Sequence, residues 1–284
     1  MALPDFDVAY RLASPASRPP RSTEEEIREA FPDATKVRFL GAGAFGETWR
    51  VDDTAVKVIV ADTFEEARVA REIAAASVNS PNVVSLRGTT ELFAAGEDRV
   101  ALIFGYVKGT DLATTISSRG VLPEQDLRDL AAGLLGGLDA MRVAGVIHRD
   151  VKPENVQLRM DSPRKPVILD LGLAYISEAT SLTVYPAAVG TRAYMPPEVL
   201  RGERAVHRSD VYALGITLHI AATAKHPFLA EGEVVKRSEL VRRIEHGAAF
   251  QISDTELGDL IVQMLHPQAF RRPSAARALN LLSS

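Results

Sequence analysis

The stretch that decides the fold is HRDVKPEN, which runs from His148 to Asn155. A second short motif, Asp170-Leu171-Gly172, begins fifteen residues after Asn155. Two acidic residues and an amide on short loops, joined by a strand-turn-strand segment, can position a hydroxyl group and divalent cations around one phosphate. An HxD triplet alone is more typical of a surface turn, but the complete string with its downstream motif indicates a site built for phosphate chemistry.

The residue types fit chemistry at a phosphoryl group. Such a group carries spread negative charge during transfer, so a protein supplies position and positive charge rather than a covalent partner. Asp150 is suited to accept or orient the proton of an attacking hydroxyl, and Lys152 to reach the transferred phosphate. Asn155 and Asp170 offer hard oxygen ligands suited to magnesium. We therefore expect these four residues in one site.

A glycine-rich segment, GAGAFG, lies upstream at Gly41 to Gly46. A GxGxxG pattern is compatible with a dinucleotide-binding fingerprint, in which the third glycine opens a helix. Here two β-like runs follow instead, joined by a turn at Asp52-Asp53. A strand-loop-strand hairpin that carries Lys57 favours a phosphate-binding loop, whose glycines let backbone amides approach phosphate groups.

Together with GTRAYMPPE at residues 190–198, these motifs resemble the eukaryotic-like Ser/Thr protein kinase family over roughly Lys36 to Leu282. The resemblance implies an α+β fold of two lobes: a small lobe with an antiparallel sheet and one prominent helix, and a larger, mainly helical lobe. ATP and Mg²⁺, or Mn²⁺ in its place, would bind between them. The implied units are an N-terminal extension (1–35), partly flexible with a short helix, the small lobe and hinge (36–107), and the large lobe (108–284).

The resemblance gives Lys57 the role of pairing with the α and β phosphates of ATP. Its ammonium group then needs an anionic residue to hold it in place. The segment 64–78 has helical spacing and supplies three candidates. Glu72 fits the family position better than Glu65 or Glu66, which the pattern allows to be solvated surface residues.

The segment 190–198 carries two further implications of the resemblance. In Ser/Thr kinases a threonine at the position of Thr191 can hydrogen-bond to both Asp150 and Lys152. Glu198 would form a buried ion pair with Arg272 and so hold the segment against the C-terminal helices. Removing either member of such a pair leaves a buried charge uncompensated.

The resemblance also implies a nucleotide pocket made of the glycine-rich loop, a roof, a gate, a hinge and a floor. Its residues are Gly41, Ala42, Gly43, Ala44, Phe45, Gly46, Thr48, Ala55, Phe104, Gly105, Tyr106, Val107, Asp111 and Gln157. Thr48 and Gln157 stand where apolar residues are usual, whereas Leu171 keeps an apolar residue in place of the commoner Phe. Burying an amide costs about 1–3 kcal/mol unless it is hydrogen-bonded, so either Gln157 finds a partner or nucleotide affinity suffers. Asp111 is a candidate for the ribose hydroxyls.

The longest apolar stretch follows Ser209-Asp210 and continues to Ala224. It is too short to span a bilayer, for which about 20 apolar residues are needed. We expect a helix that is buried on all sides at the centre of the large lobe, with Asp210 bracing the backbone of the 148–155 segment.

Composition is that of an ordinary globular chain, with 46% hydrophobic and 25% charged residues over 284 positions. A net charge of −4 argues against a nucleic-acid partner, and the absence of cysteine excludes disulfides and thiolate metal sites. Residues 1–9 contain Asp5 and Asp7 and no apolar core, so no secretory signal is predicted. We expect a cytoplasmic protein with no membrane contact; the sequence leaves its oligomeric state open.

The first 35 residues lie outside the resemblance. Residues 14–22 contain three prolines and are predicted to be a flexible lead. A capping box starting at Ser22 or at Thr23 predicts a short helix that runs to about Phe31, before Pro32. This helix would dock on the small lobe or bind a partner.

The implied activity is transfer of the γ-phosphate of ATP to Ser or Thr hydroxyls of protein substrates. Glu154 stands where some family members select a basic residue in the target peptide. In kinases of this pattern Arg149 would pair with a phosphate, so autophosphorylation is expected between residues 172 and 190. Thr183 is favoured as the Ser/Thr hydroxyl closest to Thr191 that does not crowd the substrate-docking turn, with Ser181 and Thr180 behind it. A pseudokinase that binds nucleotide as a scaffold, and a small-molecule kinase of the aminoglycoside or choline type, are the alternatives.

Overall fold

The computed structural model describes residues 4–12, 18–43, 46–60, 78–171, 175–176, 191–247 and 255–283. The strands are β1 (Asp7–Ala9), β2 (Val37–Ala42), β3 (Gly46–Val51), β4 (Thr54–Ile59), β5 (Leu86–Ala94), β6 (Glu97–Gly105), β7 (Gly109–Asp111), β8 (Val146–Ile147), β9 (Val156–Arg159), β10 (Pro166–Ile168), β11 (Tyr175–Ile176) and β12 (Val234–Lys236). The α-helices are α1 (Glu24–Ala30), α2 (Leu112–Arg119), α3 (Glu124–Val143), α4 (Pro197–Leu200), α5 (His207–Thr223), α6 (Arg237–His246), α7 (Glu256–Met264) and α8 (Ala275–Ser283). The expected two-lobed α+β fold is confirmed.

The small lobe is built on a five-stranded antiparallel sheet in the order β2-β3-β4-β6-β5. Because side chains alternate along a strand, its two faces carry different residues. Thr48 on β3 lies opposite Lys57 on β4, and Ala55 shares the face of Lys57. Trp49 and Val56 point the other way into a separate apolar cluster. The face that carries Ala55 and Lys57 also carries the buried Leu102 and Phe104, which belong to the larger core cluster. This is the face that can form the roof of a cleft, whereas the opposite face packs into the smaller cluster.

Helix α1 covers the packed face of the small-lobe sheet. Its first turn is closed by the capping box at Thr23, whose hydroxyl accepts the N–H of Glu26 while the Glu26 carboxylate accepts the N–H of Thr23. Of the two registers that the sequence allows, the structure uses this one. Ile27 is fully buried against Trp49 and its neighbours, so the helix docks on the small lobe.

The predicted flexible lead is wrong for its last residues. The backbone N–H groups of Arg21 and Ser22 both donate to the buried carboxylate of Glu47, at 2.6 and 3.1 Å. The Arg21 guanidinium also donates to the carbonyl of Val60 at 2.6 Å. This approach to the helix is fixed because a buried carboxylate on β3 needs donors, and the incoming backbone supplies them.

The large lobe is organised around α5. Every residue from Ser209 to Ala221 is buried, as expected for a helix that is apolar all round. Helix α3 packs on α5 and α8, and its buried face is apolar at helical spacing. The hairpin β9–β10 lies against α3 and joins the 148–155 segment to Asp170, which confirms the predicted strand-turn-strand.

Residues 4–12 form an element that the sequence analysis did not predict. Strand β1 pairs antiparallel with β12, with Val8 opposite Val235. Val8 and Tyr10 are almost completely buried. Residues 4–12 therefore lie on the large lobe, and helix α1, later in the chain, lies on the small lobe.

None of the helices within the described ranges is long and apolar enough to cross a membrane. This agrees with the expectation that α5 is a buried core helix.

Candidate active site

The segment 148–155, which we call the HRD loop, is held by backbone hydrogen bonds to a buried carboxylate. Asp210, in the first turn of α5, accepts the N–H groups of His148 and Arg149 at 2.8 Å each. Burial raises the pKa of Asp210, and these hydrogen bonds act in the opposite direction. Arg149 has a φ of +70°, a left-handed conformation that is unusual for this residue type. The expected bracing of the loop by Asp210 is confirmed.

His148 connects the HRD loop to the segment that carries Asp170. Its Nδ1 accepts the N–H of Asp150 at 3.2 Å, which leaves the proton on Nε2. Nε2 then donates to the carbonyl of Leu169 at 2.9 Å. The ring is fully buried, so this bridge fixes the spacing between the two acidic motifs.

Asp150 lies at the centre of the HRD loop and is 7% exposed. Its Oδ2 accepts hydrogen bonds from Lys152 Nζ and Asn155 Nδ2, each at 2.9 Å. Its Oδ1 is buried and has no hydrogen-bond donor among the residues that the structure describes. Oδ2 is therefore held in place by two donors, while Oδ1 can still accept a hydrogen bond.

Burial raises the pKa of Asp150, and the ammonium of Lys152 opposes that shift. Burial alone would lower the pKa of Lys152, but the Asp150 carboxylate outweighs it and the pKa of Lys152 is raised. Lys152 therefore remains charged beside the carboxylate. A fixed positive charge at this position suits a site that handles an anionic group.

Asp170 and Lys57 join the two lobes directly. Lys57 Nζ lies 2.7 Å from Asp170 Oδ1, with the lysine side chain 14% and the aspartate side chain 50% exposed. Asp170 has a φ of +55°, which turns the chain sharply after β10. Backbone strain of this kind collects at functional sites, where the surrounding structure holds it.

Asn155 and Asp170, the two residues predicted to hold a divalent cation, lie on neighbouring chain segments. The N–H of Leu169 donates to the carbonyl of Asn155 at 2.8 Å, which brings the two chain segments side by side. The Asn155 Nδ2 is engaged by the carbonyl and Oδ2 of Asp150, so its amide oxygen is the atom left for a cation. Among the described residues no group of three or more His, Cys, Asp or Glu side chains could hold a metal. An amide and a carboxylate oxygen are the ligand types that Mg²⁺ uses with phosphates and water.

A backbone hydrogen bond joins the described ends of the glycine-rich loop. The N–H of Gly43 donates to the carbonyl of Gly46 at 2.8 Å. A Cβ on Gly46 would lie 2.5 Å from the carbonyl oxygen of Val58, so only glycine allows this approach of β3 to β4. Ala44 and Phe45 lie outside the described residues.

The predicted roof, gate and hinge are contiguous. Ala55 and Phe104 are cross-strand neighbours on β4 and β6, and Phe104 is 6% exposed. The N–H of Gly105 donates to the carbonyl of Ser85 at 3.1 Å as the chain leaves β6. The ring of Tyr106 lies under the Arg50 guanidinium at 4.1 Å. These contacts fix the start of the hinge.

The amide of Gln157 has the hydrogen-bond partner that its burial requires. Its Nε2 donates to the carbonyl of Gly109 at 2.6 Å. Gly109 has a φ of +146°, and a Cβ there would lie 1.9 Å from the carbonyl oxygen of Leu158, so the residue cannot be replaced. The expected penalty at Gln157 is therefore offset within the protein. Asp111 caps α2 by accepting the N–H and hydroxyl of Thr114 at 2.8 and 2.7 Å.

The ion pair between Glu198 and Arg272 is confirmed. Two parallel bonds of 2.8 Å join the guanidinium to the carboxylate, and Ser209 Oγ donates a third to Glu198 at 2.7 Å. The Arg272 side chain is completely buried. Burial would raise the pKa of Glu198, but the Arg272 hydrogen bonds and charge prevail and lower it.

Several predicted residues cannot be compared with the structure. Glu72, Glu65 and Glu66 lie outside the described residues, as does Thr183. For Thr191 the structure describes only the backbone, which begins a short 3₁₀ turn.

Sequence reasoning missed two features near the site. It gave His148 no role, although the residue stands first in the decisive motif and bridges to Leu169. It also missed β1, although charged residues at 5, 7 and 11 alternate with apolar or aromatic residues at 6, 8 and 10, a pattern that predicts a strand.

Comparison with known proteins agrees with this geometry. The sequence model of the protein kinase domain family matches residues 34–281. The chain is 34% identical over 216 residues to the probable serine/threonine-protein kinase PkwA of Thermomonospora curvata, which covers 71% of this chain and 28% of that protein. It is 33% identical over 196 residues to the serine/threonine-protein kinase PknB of Mycobacterium leprae, covering 67% and 31%. Against the serine/threonine-protein kinase pkn3 of Myxococcus xanthus it is 35% identical over 231 residues, covering 75% and 42%.

The chain thus spans 28% to 42% of the length of these relatives. The family match, in contrast, covers nearly the whole chain, and it contains every motif that carried the resemblance. The chain belongs to the protein kinase family, in its eukaryotic-like Ser/Thr group.

Proposed function

We propose that this chain is an ATP-dependent protein kinase that transfers the γ-phosphate to Ser and Thr hydroxyls of protein substrates and phosphorylates itself. The observation that carries the proposal is the environment of Asp150. Lys152 and Asn155 hold one carboxylate oxygen, and the other is buried with no donor among the described residues. A substrate hydroxyl is a donor that this oxygen can accept.

In the proposed reaction the substrate hydroxyl oxygen forms a bond to the γ-phosphorus, and the bond from that phosphorus to the leaving oxygen of ADP breaks. Asp150 orients the hydroxyl and receives its proton. Lys152, fixed by the same carboxylate, balances the charge on the transferred group. Thr191 would support both residues, as the family pattern implies.

Asn155 and Asp170 would hold Mg²⁺, which when bound neutralises charge on the phosphates. Lys57 would bind the α and β phosphates, and Glu72 would hold its ammonium group. In the structure Lys57 contacts Asp170 directly, so phosphate and metal would each replace one member of this pair. Binding of ATP therefore exchanges one ion pair for two.

The ion pair of Glu198 with Arg272 favours a protein acceptor over a small molecule. It fixes the segment after Thr191, which a peptide-binding enzyme needs and an aminoglycoside or choline kinase does not. A pseudokinase typically lacks one of the residues that Lys57, Asp150 and Asp170 fill here.

Incubation with γ-labelled ATP, Mg²⁺ and dephosphorylated casein, followed by phosphoamino acid analysis, tests the proposal. We expect label on Ser and Thr, and none with the Asp170→Ala variant. Nucleotide binding without transfer would establish the pseudokinase alternative. Label on kanamycin or choline in place of casein would establish a small-molecule kinase.

Self-phosphorylation would fall on Thr183, with Ser181 and Thr180 as further sites. Arg149, which precedes the catalytic Asp150, would pair with the added phosphate. Mass spectrometry of the active protein should find this phosphate, and Thr183→Ala should lower activity. An unmodified segment in a fully active Thr183→Ala protein would refute control at this site.

A further inference from the structure

The N-terminal strand, residues 4–12, is attached to the large lobe by main-chain pairing. Beyond the paired residues of β1 and β12, the carbonyl of Phe6 accepts the N–H of Arg237 at 2.9 Å. The carbonyl of Tyr10 accepts the N–H of Gly232 at 3.0 Å. This is the geometry by which a sheet edge takes up an extended peptide.

The side chains of this strand alternate between buried and exposed positions. Val8 and Tyr10 are 0% and 1% exposed, and Phe6 is half-buried. Asp5 and Asp7 are exposed and lie at the rim. A surface that binds a strand in this way recognises every second side chain through a pocket and the main chain through hydrogen bonds.

The large-lobe surface that binds residues 4–12 carries positively charged residues at its edge, where they face the acidic residues of the strand. The Asp7 carboxylate lies 2.8 Å from Lys236 Nζ. The Asp5 carboxylate accepts the N–H and hydroxyl of Ser238 at 2.9 and 2.8 Å, and lies 3.8 Å from the Arg237 guanidinium. The surface therefore selects acidic residues at alternate positions of its occupant.

The buried side of the strand contacts an aromatic cluster. The Tyr10 ring lies 4.8 Å from the His226 ring and 6.5 Å from the Tyr194 ring. Arg192 stacks over the Phe6 ring at 4.3 Å and donates to the carbonyl of Asp7 at 3.1 Å. The strand is thus bound to the 3₁₀ turn 191–194.

That turn adjoins the catalytic carboxylate. Tyr194 and Asp150 line the same small cavity, together with Met195 and Pro196. Burial raises the pKa of Tyr10, and the charges of Glu231 and Glu154 add to the effect, consistent with a ring near the HRD loop. The turn also belongs to the segment 190–198, which a protein substrate would contact. The strand consequently lies against a turn that borders the catalytic loop and that a protein substrate would contact.

We propose that residues 4–12 occupy the protein-substrate docking surface of this chain as an intramolecular competitor, and that an extended acidic and aromatic segment of a protein substrate displaces them. The inference rests on the proposed function. The stretch PDFDVAYRL contains no Ser or Thr, so it offers no hydroxyl of the kind that the enzyme would modify. It fits the surface as an inhibitor and not as a substrate.

Two features make the strand displaceable. The Tyr10 hydroxyl is buried and has no hydrogen-bond partner among the described residues. Leaving such a group unsatisfied is unfavourable, which weakens the binding of the strand to the surface. The regular pairing is three residues long, so a longer incoming strand can form more main-chain bonds.

Binding of residues 4–12 to this surface is favoured by their short connection to the small lobe. Only five residues separate Leu12 on the large lobe from Arg18, and a fully extended link of this length spans at most about 22 Å. A short tether gives an effective concentration on the order of millimolar, against which a free substrate must compete.

Two variants of the full chain, Tyr10→Ala and Tyr10→Phe, test the proposal, because they should change the KM for casein in opposite directions. Alanine removes the ring and should lower the KM for casein several-fold. Phenylalanine keeps the ring and removes the unsatisfied hydroxyl, so it should raise that KM by roughly fivefold or more. The kcat, the KM for ATP and the slow ATP hydrolysis by water should stay unchanged. Phe270→Ala, which alters a 71% exposed aromatic residue elsewhere on the large lobe, is the matched control and should change nothing.

A binding experiment separates this inference from the proposed function. A fluorescent peptide PDFDVAYRL should bind the Tyr10→Ala protein at least tenfold more tightly than the wild type, and a scrambled peptide should bind neither. If the peptide binds in this way but no protein transfers phosphate, the proposed function fails and the docking surface stands. If casein is phosphorylated with the same KM by the wild type and both Tyr10 variants, or the peptide does not distinguish them, the inference is overturned.

Discussion

The HRD loop and the N-terminal strand are both bound by dense hydrogen bonding, but over different ranges of sequence. Asp150 is held by His148, Lys152 and Asn155, all within five positions. The strand is held by residues 185 to 233 positions away, as in the bond of Asp5 to Ser238. The Asp150 carboxylate is thus fixed by its own neighbours, although Asp210 braces the backbone of the loop from 61 and 62 positions away. The contact that we propose to be regulatory lies outside this local set, so it can be made and broken without disturbing the carboxylate.

The largest expected effect is that of Asp150→Asn on the rate of phosphotransfer. This variant tests the HRD loop alone. The amide keeps the size of the side chain but cannot take up the hydroxyl proton, so phosphotransfer should fall by at least about 10²- to 10⁴-fold. The change in stability should be small, because burial disfavours the charged carboxylate while the Lys152 ammonium favours it. The rate is measured with γ-labelled ATP and the stability by urea unfolding. Asp98→Asn, at an exposed position on β6, is the control and should alter neither.

Arg272→Met extends the comparison to a contact that is distant in sequence but completely buried. It leaves the Glu198 carboxylate in the core without its guanidinium and should destabilise the protein by about 3–5 kcal/mol. Arg28→Met breaks the exposed pair with Glu24 and should cost no more than about 0.5 kcal/mol. Equal unfolding midpoints for the two variants would show that burial does not govern ion-pair strength here.

His226 makes the surface under the N-terminal strand sensitive to acid. Its Nδ1 accepts the N–H of Phe228, its Nε2 donates to Ala193, and burial lowers its pKa to about 3. Below pH 6.5 the unfolded chain takes up a proton at this residue that the folded chain refuses, so stability falls with pH until about pH 3. The loss approaches about 1.4 kcal/mol per pH unit.

The measurement is urea unfolding of wild type and His226→Asn between pH 7 and pH 5. Asparagine keeps an acceptor for Phe228 but does not titrate, so its stability should depend less steeply on pH. The lowered pKa values of His207, His219 and His266 act in the same direction in both proteins and cancel in the difference. Parallel pH profiles would contradict the assignment to His226.

The smallest expected effect lies in helix α1, the part of the N-terminal extension that is encoded locally. Thr23→Ala removes the hydroxyl that caps Glu26 and should cost about 1 kcal/mol. The Ser22 hydroxyl is buried without a partner among the described residues, so Ser22→Ala should be neutral or stabilising. A larger loss at Ser22 than at Thr23 would mean that the other register of the capping box is used.

Prediction from sequence succeeded where the controlling contacts are close in the chain or belong to a repeated pattern. The HRD loop, the hairpin that carries Lys57 and the fully apolar helix α5 are of this kind. Prediction failed for Arg21 and Ser22, because the composition of residues 14–22 indicates flexibility and says nothing of the buried Glu47 that binds them. It named the need of Gln157 for a partner but could not find Gly109.

The sequence by itself determined that this protein has a kinase fold, and it predicts the residues of the proposed chemistry, because their types and spacing are constrained by one phosphate and its metal. Only the tertiary structure decided where residues 4–12 lie, which group Lys57 contacts, and how His148 joins the two acidic motifs. The alternation in residues 5–11 indicates a strand, yet it does not specify the sheet edge to which that strand binds. That choice depends on β12 and on the aromatic surface of Tyr194 and His226, which exist only once the large lobe has folded.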